Sequence, residues 1–365
     1  MVRSGAVLAT FTSVVAAGTA LAGREPHPLV VGIQAAPPLG IALGAVGAAA
    51  FRSKGWWVVG VASGAAWVAV GAVARRSFPA SKTPHAAGIR VLSANVLKWN
   101  RSYDEVARTL DARDADVMIT IETSQQWRTE LASRMRAVPI VSAAGGSSDE
   151  TSVVIWSERT PEASGTIRCG DGDFPWARFA TTGGSLLIVG VHVQSPAQRG
   201  QFGRWKAQLA ALRAWSASRT EPFVLAGDFN AALTNPSLHA LVGHVDDAAR
   251  AAGARCTATY PSITYPLGRL RLPIRLMTLD HIFVGGTARS TQFDRGRLPG
   301  SDHDLVWADV EVSASRPVGA DTDPTTSASR ASAVSAINSP SGTAISDGVP
   351  SAANAHVGTG TSASG

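Results

Sequence analysis

Cysteine is scarce in this chain of 365 residues, which holds only two, Cys169 and Cys256. At most one internal disulfide bond can therefore form, and this excludes the disulfide-dense scaffolds of small secreted domains. The two cysteines can pair if the protein is exported, or they can stay as two buried thiols. The sequence leaves both possibilities open.

Acidic residues are nearly absent before residue 88, and this absence locates the basic charge of the chain. The net charge at pH 7 is +6. Before residue 88 there are seven Lys or Arg residues against Glu25 alone, whereas residues 88–313 carry 24 Lys or Arg against 23 Asp or Glu. The globular part thus gives no support to a broadly nucleic-acid-binding catalytic face, while the N-terminal charges can meet anionic lipid headgroups.

Three long apolar runs in the N-terminal part contain no charged residue. They span residues 6–22, 29–51 and 56–74. Each is close to the ~20 residues that cross a bilayer, so we predict about three transmembrane helices within residues 1–81 and a multi-pass protein of the cell membrane. Pro37-Pro38 would kink or shorten the second helix. The first run is alternatively a cleavable signal peptide with Arg3 as its basic end.

Composition divides the rest of the chain into a linker at 82–87, a globular domain at 88–313 and a tail at 314–365. Ser, Ala, Thr and Gly dominate the tail, which we predict to be disordered. Basic residues flank the apolar runs on both sides, so they give almost no preference for orientation. The cysteines and the tail favour a globular domain outside the cytoplasm. No protein partner can be inferred.

The globular part alternates strand-like and helix-like patterns. Two patterns with apolar residues three or four apart, at 103–112 and 201–218, predict helices. Short runs rich in Val, Ile, Phe and Trp predict strands at Ile89–Ala94, Val117–Ile121, Ser152–Trp156, Trp176–Thr181, Leu186–Val193, Phe223–Ala226, His281–Val284 and Val306–Val312. Many strands with a few long helices indicate an α/β sandwich, with sheets inside and helices outside.

The most informative motif is Gly227-Asp228-Phe229-Asn230, which follows the apolar run at 223–226. By itself it is typical of a polar turn. At the tip of a strand, however, the glycine allows a tight turn, and the acid and amide can then point together toward a ligand. Asp228 could take a proton from water while Asn230 binds a phosphate oxygen.

Three other predicted strands also end in polar residues. Asn95 and Glu122 each follow an apolar run, and His192 lies at the end of another. A carboxylate at the end of so apolar a strand is costly to desolvate without a partner, and a divalent cation would supply one. Alone, Glu122 is equally compatible with a solvated capping acid, and His192 with a hydrogen-bonded core histidine.

The last site comes in two pieces, Asp280 before one strand and Asp302-His303 before another. A histidine beside a carboxylate can form an Asp–His pair, in which the acid fixes the imidazole tautomer and stabilises its charged form.

The order of these positions resembles the endonuclease/exonuclease/phosphatase superfamily, and most of all its membrane-anchored bacterial branch. The resemblance covers residues 88–313. It implies a four-layer α/β sandwich, with two mixed β-sheets flanked by helices, and hydrolysis of phosphoesters with Mg²⁺, or Mn²⁺ or Ca²⁺ in its place. It also implies that Glu122 holds the metal, with Asn95 and Asp302 completing or supporting that site.

The resemblance assigns the remaining positions to catalysis. Asp228 would orient or deprotonate the attacking water, while Asn230 and His192 would hold phosphate oxygens. His303, paired with Asp280, would stabilise charge on the phosphate. Such roles suit phosphoryl transfer, which depends mainly on positioning and charge neutralisation.

Two positions depart from the family pattern. Ala115-Asp116 stands where the family commonly has Pro-Asp, and His281 stands where an aromatic residue is frequent. Neither change removes a reacting group, and we interpret His281 as a packing residue.

The substrate is predicted less sharply than the reaction. We expect a phosphodiester such as nucleic acid or phospholipid; the alternatives are a phosphomonoesterase that acts on inositol phosphates and an inactive, membrane-tethered binding protein of the same fold. Arg269, Arg271 and Arg275 are either a local phosphate-binding strip or a solvated loop.

Overall fold

The computed structural model describes residues 2–37, 39–42, 45, 61–62, 64–68, 88–144, 151–254, 257–267 and 270–313. Its strands are β1 Ile89–Asn95, β2 Val117–Ser124, β3 Val138–Ala144, β4 Thr151–Ser157, β5 Ala163–Cys169, β6 Gly172–Thr181, β7 Gly184–His192, β8 Phe223–Asp228, β9 Asp246–Asp247, β10 Ile263–Leu267, β11 Leu270–Ile274, β12 Asp280–Gly285, β13 Ala288–Arg297 and β14 Asp304–Val312. Its named helices are α1 Val2–Leu21, α2 Pro28–Ala35, α3 Tyr103–Asp111, α4 Gln125–Ala132, α5 Phe202–Ala217, α6 Pro236–His239 and α7 Ala248–Ala251.

The strands form two six-stranded mixed sheets and one small hairpin. The first sheet has the order β13-β14-β1-β2-β4-β3, and the second has the order β5-β6-β7-β8-β12-β9. Strands β10 and β11 pair only with each other. Each large sheet contains one parallel pair, β1 with β2 and β7 with β8, while its other pairs are antiparallel.

Alternating side chains along the strands build the layers. Val91 of β1 lies in the apolar core between the sheets, whereas the next residue, Leu92, packs outward with Val106 of α3 and Trp127 of α4. On the other sheet, α5 covers the outer face through Trp205 and its neighbours. The result is an α/β sandwich of helix, sheet, sheet and helix, in which each fully buried aliphatic side chain contributes about 1.5–3 kcal/mol.

The two parallel pairs decide where the site lies. Helix α3 connects β1 to β2, and α5 connects β7 to β8, because parallel neighbours need a crossover connection. The carboxyl ends of the two strands in each pair therefore meet at one edge of their sheet. The polar residues predicted from the sequence follow these strands.

The eight predicted strands and both predicted helices are present, with bounds shifted by a few residues. The structure adds β3, β5, β9, β10, β11 and β13 and the helices α4, α6 and α7. Most of the added strands lie at the edges of the sheets. The exposure pattern of β5 shows why they are hard to find, since only Cys169 at its end is buried.

The predicted membrane region lies only partly within the described residues. Within them, no helix is both long enough and apolar enough to cross a membrane. The second apolar run, predicted as one span over 29–51, contains the eight-residue α2, and most of the run beyond residue 42 lies outside the described residues. Ala36 interrupts the helix with φ −121° and ψ 68°, as expected for a residue before proline. The third run lies largely outside the described residues.

The N-terminal segment also contacts the globular domain. Val31 of α2 is buried in the apolar cluster on the outer face of the second sheet. Its carbonyl oxygen accepts a hydrogen bond from Asn235 Nδ2 at 3.1 Å, and the carbonyl of Glu25 accepts one from Lys206 Nζ at 2.8 Å. These bonds join α2 to the loop before α6, and the segment between α1 and α2 to α5.

The linker at 82–87, the tail at 314–365 and Cys256 lie outside the described residues. The pairing of Cys169 with Cys256 therefore stays a prediction. Cys169 itself is buried, and burial raises the pKa of its thiol to about 11.

Candidate active site

Three adjacent strands of the second sheet place three of the predicted residues side by side. His192 at the end of β7 is opposite Asp228 at the end of β8, and Asp280 at the start of β12 is opposite Asp228 on the other side. All three side chains are buried. The antiparallel direction of β12 explains how the beginning of one strand meets the ends of two others.

The motif at 227–230 begins inside β8, so Gly227 is a strand residue and not the turn residue that the sequence predicted; the close approach of β7 requires glycine there. Gly227 has φ 157°, and a Cβ atom there would lie 1.8 Å from the carbonyl oxygen of Val191 on the neighbouring strand. After it, Asp228 Oδ1 accepts a hydrogen bond from the backbone N–H of Asn230 at 2.8 Å. Asn230 has φ 47°, in the left-handed region that asparagine tolerates, and donates from Nδ2 to the carbonyl of Val193 at 2.9 Å.

The first sheet contributes Asn95 and Glu122. Asn95 Nδ2 donates to Asp228 Oδ2 at 3.1 Å and to Glu122 Oε1 at 3.3 Å, so one amide connects the carboxylates of both sheets. Glu122 lies where the pairing of β2 with β4 shifts register, and its φ is 56°. A non-glycine residue in this region is strained, and such strain concentrates at functional sites.

His303 and Asp280 form the predicted Asp–His pair. His303 Nδ1 lies 2.8 Å from Asp280 Oδ2, and its Nε2 lies 3.9 Å from Asp228 Oδ2. The loop is held by Ser301 Oγ, which accepts from the N–H of His303 at 3.0 Å and donates to the carbonyl of Asn95 at 2.7 Å. The loop before β14, which carries Ser301 and His303, is thereby hydrogen-bonded to the end of β1.

The surroundings of this site raise the pKa values of both His303 and Asp228. Burial opposes protonation of His303, but Asp280 and then Asp228 outweigh it and raise the pKa of the imidazole to about 10. Burial also raises the pKa of Asp228; His303 counteracts this rise, while the like charge of Asp280 adds to it. The histidine is therefore the acid of the group, and Asp228 holds a proton more readily than an ordinary aspartate does.

Several buried polar atoms at the site have no hydrogen-bond partner within the part of the chain that the structure describes. They are His192 Nδ1, Asp280 Oδ1 and Asp302 Oδ1. Buried polar atoms are nearly always satisfied, so three such atoms at one edge of the sandwich indicate that a ligand completes them.

A divalent cation fits these donors. Asp228, Asp280 and His303 offer ligand atoms that all lie within 4.8 Å of one another. The imidazole is the least suitable of them, because a histidine must be neutral to bind a metal and this one is held in its charged form. Carboxylate oxygens, in contrast, are what a hard cation such as Mg²⁺ prefers.

The predicted metal ligands also lie together. Glu122 is bonded to Asn95, and the carboxylates of Asp302, Asp228 and Glu122 all act on the same phenol, that of Tyr260. The structure therefore brings all eight predicted residues to one edge of the sandwich. How the metal and catalytic roles are divided among them stays a prediction.

Sequence reasoning missed Tyr260. Its ring packs on the imidazole of His303 with 4.9 Å between centroids. Burial raises its pKa, and the carboxylates of Asp302, Asp228 and Glu122 raise it further, in that order. No motif pointed to it, because an aromatic residue in a loop carries no signal until its neighbours are known.

The two departures from the family pattern lie in packing positions. His281 Nε2 is 3.0 Å from the carbonyl of Ala231, and its Nδ1 is 3.6 Å from Asp247. Although burial opposes it, Asp247 raises the pKa of this imidazole. Ala115, which stands in place of the proline, packs against the apolar cluster that contains Leu92 and Trp127. The next residue, Asp116, accepts a hydrogen bond from the N–H of Arg90 at 2.8 Å.

Several solved structures are similar to this chain. A functionally unknown conserved protein from Enterococcus faecalis V583 is 16% identical with a TM-score of 0.50, covering 61% of this chain and 100% of its own. A mannosyl-6-phosphatase from Bacteroides thetaiotaomicron VPI-5482 is 18% identical with a TM-score of 0.47, covering 61% and 100%. TDP2 from D. rerio, complexed with a single-strand DNA product, is 17% identical with a TM-score of 0.49, covering 61% and 99%. No curated protein matches the chain.

The sandwich and its acid–amide–histidine edge define a hydrolase that acts on phosphoester bonds. The family comparison agrees, since residues 91–303 match the model of the endonuclease/exonuclease/phosphatase family. That match spans more than half of the chain, and the chain belongs to this family.

Proposed function

We propose that the protein is a magnesium-dependent phosphodiesterase in which Asp228 activates the attacking water. One observation carries the proposal: Asp228 is held at 3.1 Å by Asn95, lies 3.9 Å from the charged imidazole of His303, and is flanked in the sheet by His192 and Asp280. A carboxylate with a raised pKa, next to the charged imidazole of His303, is suited to proton transfer.

The residues divide the work as follows. Asp228 orients the water and accepts its proton, while the side chains of Asn230 and His192 bind oxygens of the phosphate. His303, kept charged by Asp280, faces the negative charge that develops on phosphate as the bond breaks.

The metal would be held by Glu122, Asn95 and Asp302. When bound, Mg²⁺ supplies positive charge that polarises the phosphate and neutralises its oxygens. Asp302 Oδ1 is buried without a partner among the described residues, and Glu122 presents its carboxylate from a strained backbone, so both side chains suit this role.

A panel of substrates tests the proposal. The full chain with Mg²⁺ is expected to hydrolyse bis-p-nitrophenyl phosphate, and EDTA is expected to abolish the reaction. An Asp228→Ala, His303→Ala double variant should lose at least ~10³-fold in kcat, whereas Asp173→Asn, at an exposed ion pair with Arg168, should keep it. Wild type and double variant equally inert on nucleic acid, phospholipid and inositol phosphates would contradict enzymatic function and favour a binding protein. Hydrolysis of monoesters alone would favour the phosphomonoesterase alternative.

The N-terminal part supports a separate proposal, that the protein is attached to the cell membrane with its catalytic domain outside the cytoplasm. Its support is the uncharged run at 6–22, the basic charge before residue 88 and the Ser/Thr-rich tail. Protease treatment of intact cells tests it: removal of the tail without lysis is expected, and removal only after lysis would contradict it.

A further inference from the structure

A second cluster of charged groups lies next to the loop that carries His303. Asp304, the residue after His303, is fully buried. Arg295 Nη1 donates to Asp304 Oδ2 at 2.6 Å. Arg275 donates to the same carboxylate twice, from Nε to Oδ2 and from Nη2 to Oδ1 at 3.2 Å. Ser262 donates its hydroxyl to the same carboxylate and accepts a hydrogen bond from Arg297 Nη1 at 2.6 Å.

The described residues that line the cavity beside this cluster include more arginines than acids. Arg275 and Arg295 pair with the buried Asp304, Arg297 is exposed, and Asp294 is the other acid among these described residues. An arginine excess next to a cavity is what a phosphate group needs, since the planar guanidinium matches its oxygens.

The cavity has room for such a group. Its volume is about 390 Å³, and its wall includes Arg275, Arg295 and Arg297. Gly296 between the last two leaves space for a fourth guanidinium: a Cβ atom on it would lie 2.3 Å from Arg113 Nη2. Asp304 fixes Arg275 in place with two hydrogen bonds, so this guanidinium needs little ordering when an anion binds.

The position of the cavity connects it to catalysis. The segment from Tyr260 to Ser262 contacts both sites, because Tyr260 packs on His303 and Ser262 bonds Asp304. In addition, the N–H of Ser262 donates to the carbonyl of Asp302 at 2.6 Å. One short segment therefore separates the cavity from the phosphate position at Asp228.

We propose that this cavity binds a second phosphate group of the substrate while the first is hydrolysed at Asp228. The inference rests on the proposed phosphoester hydrolysis. Such a cavity selects substrates that carry two phosphates a few bonds apart, in a nucleotide chain or on one polyol ring. It also explains how a nearly neutral domain selects a polyanion, since the positive charge is concentrated where the second phosphate lies.

Substitution of Arg297 distinguishes phosphate binding by the cavity from a purely structural role of the arginines. Arg297 bonds Ser262 but makes no ion pair with Asp304 in the described part of the chain, so its removal leaves the Arg275–Asp304–Arg295 group intact. We compare KM for two thymidine dinucleotides, one with only the internal phosphate and one with an additional 5′-phosphate. The same comparison is made with an inositol monophosphate and a bisphosphate, which distinguishes the two sources of the second phosphate.

Arg297→Ala is expected to raise the ratio of KM for the two-phosphate substrate to KM for the one-phosphate substrate roughly tenfold, the effect of one lost charge-assisted hydrogen bond. Arg297→Lys should restore part of it. The matched control, Arg213→Ala on the exposed face of α5, should leave the ratio at the wild-type value. An unchanged ratio in Arg297→Ala, or equal changes in KM for both substrates, would overturn the inference.

Calorimetry with pyrophosphate in EDTA separates failure of this inference from failure of the proposed function. Wild type and Asp228→Asn should bind pyrophosphate alike, and Arg297→Ala roughly tenfold more weakly. If wild type hydrolyses no substrate but shows this pattern, the proposed function fails and the anion site stands. If Arg297→Ala binds as wild type does, the anion site fails whatever the activity.

Discussion

Asn95 on one sheet donates its side-chain amide to Asp228 on the other, across 3.1 Å. The same amide reaches Glu122 at 3.3 Å, so a single side chain fixes the distance between the two halves of the site. The site is therefore a property of the sandwich as a whole, because Asn95 and Glu122 lie on one sheet and Asp228 lies on the other.

The first prediction concerns this amide. Asn95→Ala leaves Asp228 Oδ2 without its donor and should lower kcat on bis-p-nitrophenyl phosphate by about 10–100-fold, as expected for a group that orients reacting side chains. Steady-state kinetics measures the change. The control is Gln125→Ala, an exposed amide at the start of α4, which should retain wild-type kcat. Equal activity of Asn95→Ala and wild type would show that the link between the sheets is not needed.

The second prediction concerns Gly227. Replacing it with alanine forces a Cβ atom to within 1.8 Å of the Val191 carbonyl oxygen, so the strand must shift. We expect the free energy of unfolding to fall by more than about 1 kcal/mol. Gly203→Ala in α5 is the matched control: nothing lies within 4 Å of its Cβ position, and it should stabilise by about 0.5–1 kcal/mol. Urea denaturation of both variants decides, and similar values would contradict the close approach of β8 to β7.

The third prediction concerns pH. The pKa of His303 in the folded protein is about 10, above the value of about 6.5 expected when unfolded. Its stabilisation is therefore fully present below about pH 6.5 and is lost as the pH rises through about 10. Unfolding free energies in EDTA should fall over this window in wild type and fall less in Asp280→Asn, which lacks the partner that holds the proton. Parallel pH profiles for the two proteins would argue against the charged pair.

The fourth prediction concerns Cys169. Burial raises its pKa to about 11, so very little thiolate is present at neutral pH. In a Cys256→Ser variant, which leaves Cys169 as the only cysteine, iodoacetamide should react roughly a hundredfold more slowly with the folded protein than with the protein in urea. Rapid labelling of the folded variant would place this thiol at the surface.

The sequence predicted the central strands well because they are buried on both faces. Strands β1, β7 and β8 read as continuous apolar runs, and their ends carry the polar residues that the structure brings together. The edge strands were missed for the converse reason. Only two of the ten residues of β13 are buried, and its sequence, with Ser, Thr, Gln, Asp and Arg, lacks the apolar pattern of a strand.

The contacts between distant segments were beyond the sequence. Tyr260 and Arg297 gain their significance only from neighbours far along the chain, His303 and Ser262. The arginine strip at 269–275 was weighed as a phosphate site from its charge alone. Of its three arginines, Arg275 lines the cavity beside Asp304, while the side chains of Arg269 and Arg271 lie outside the described residues.

The most direct test of the account is hydrolysis of the thymidine dinucleotide in oxygen-18 water, followed by mass spectrometry of both products. Attack of water on phosphorus at Asp228 predicts one oxygen-18 atom in the phosphate-bearing product and none in the released alcohol, with no reaction in EDTA or in Asp228→Asn. Label in the alcohol, or hydrolysis that persists in Asp228→Asn, would contradict it.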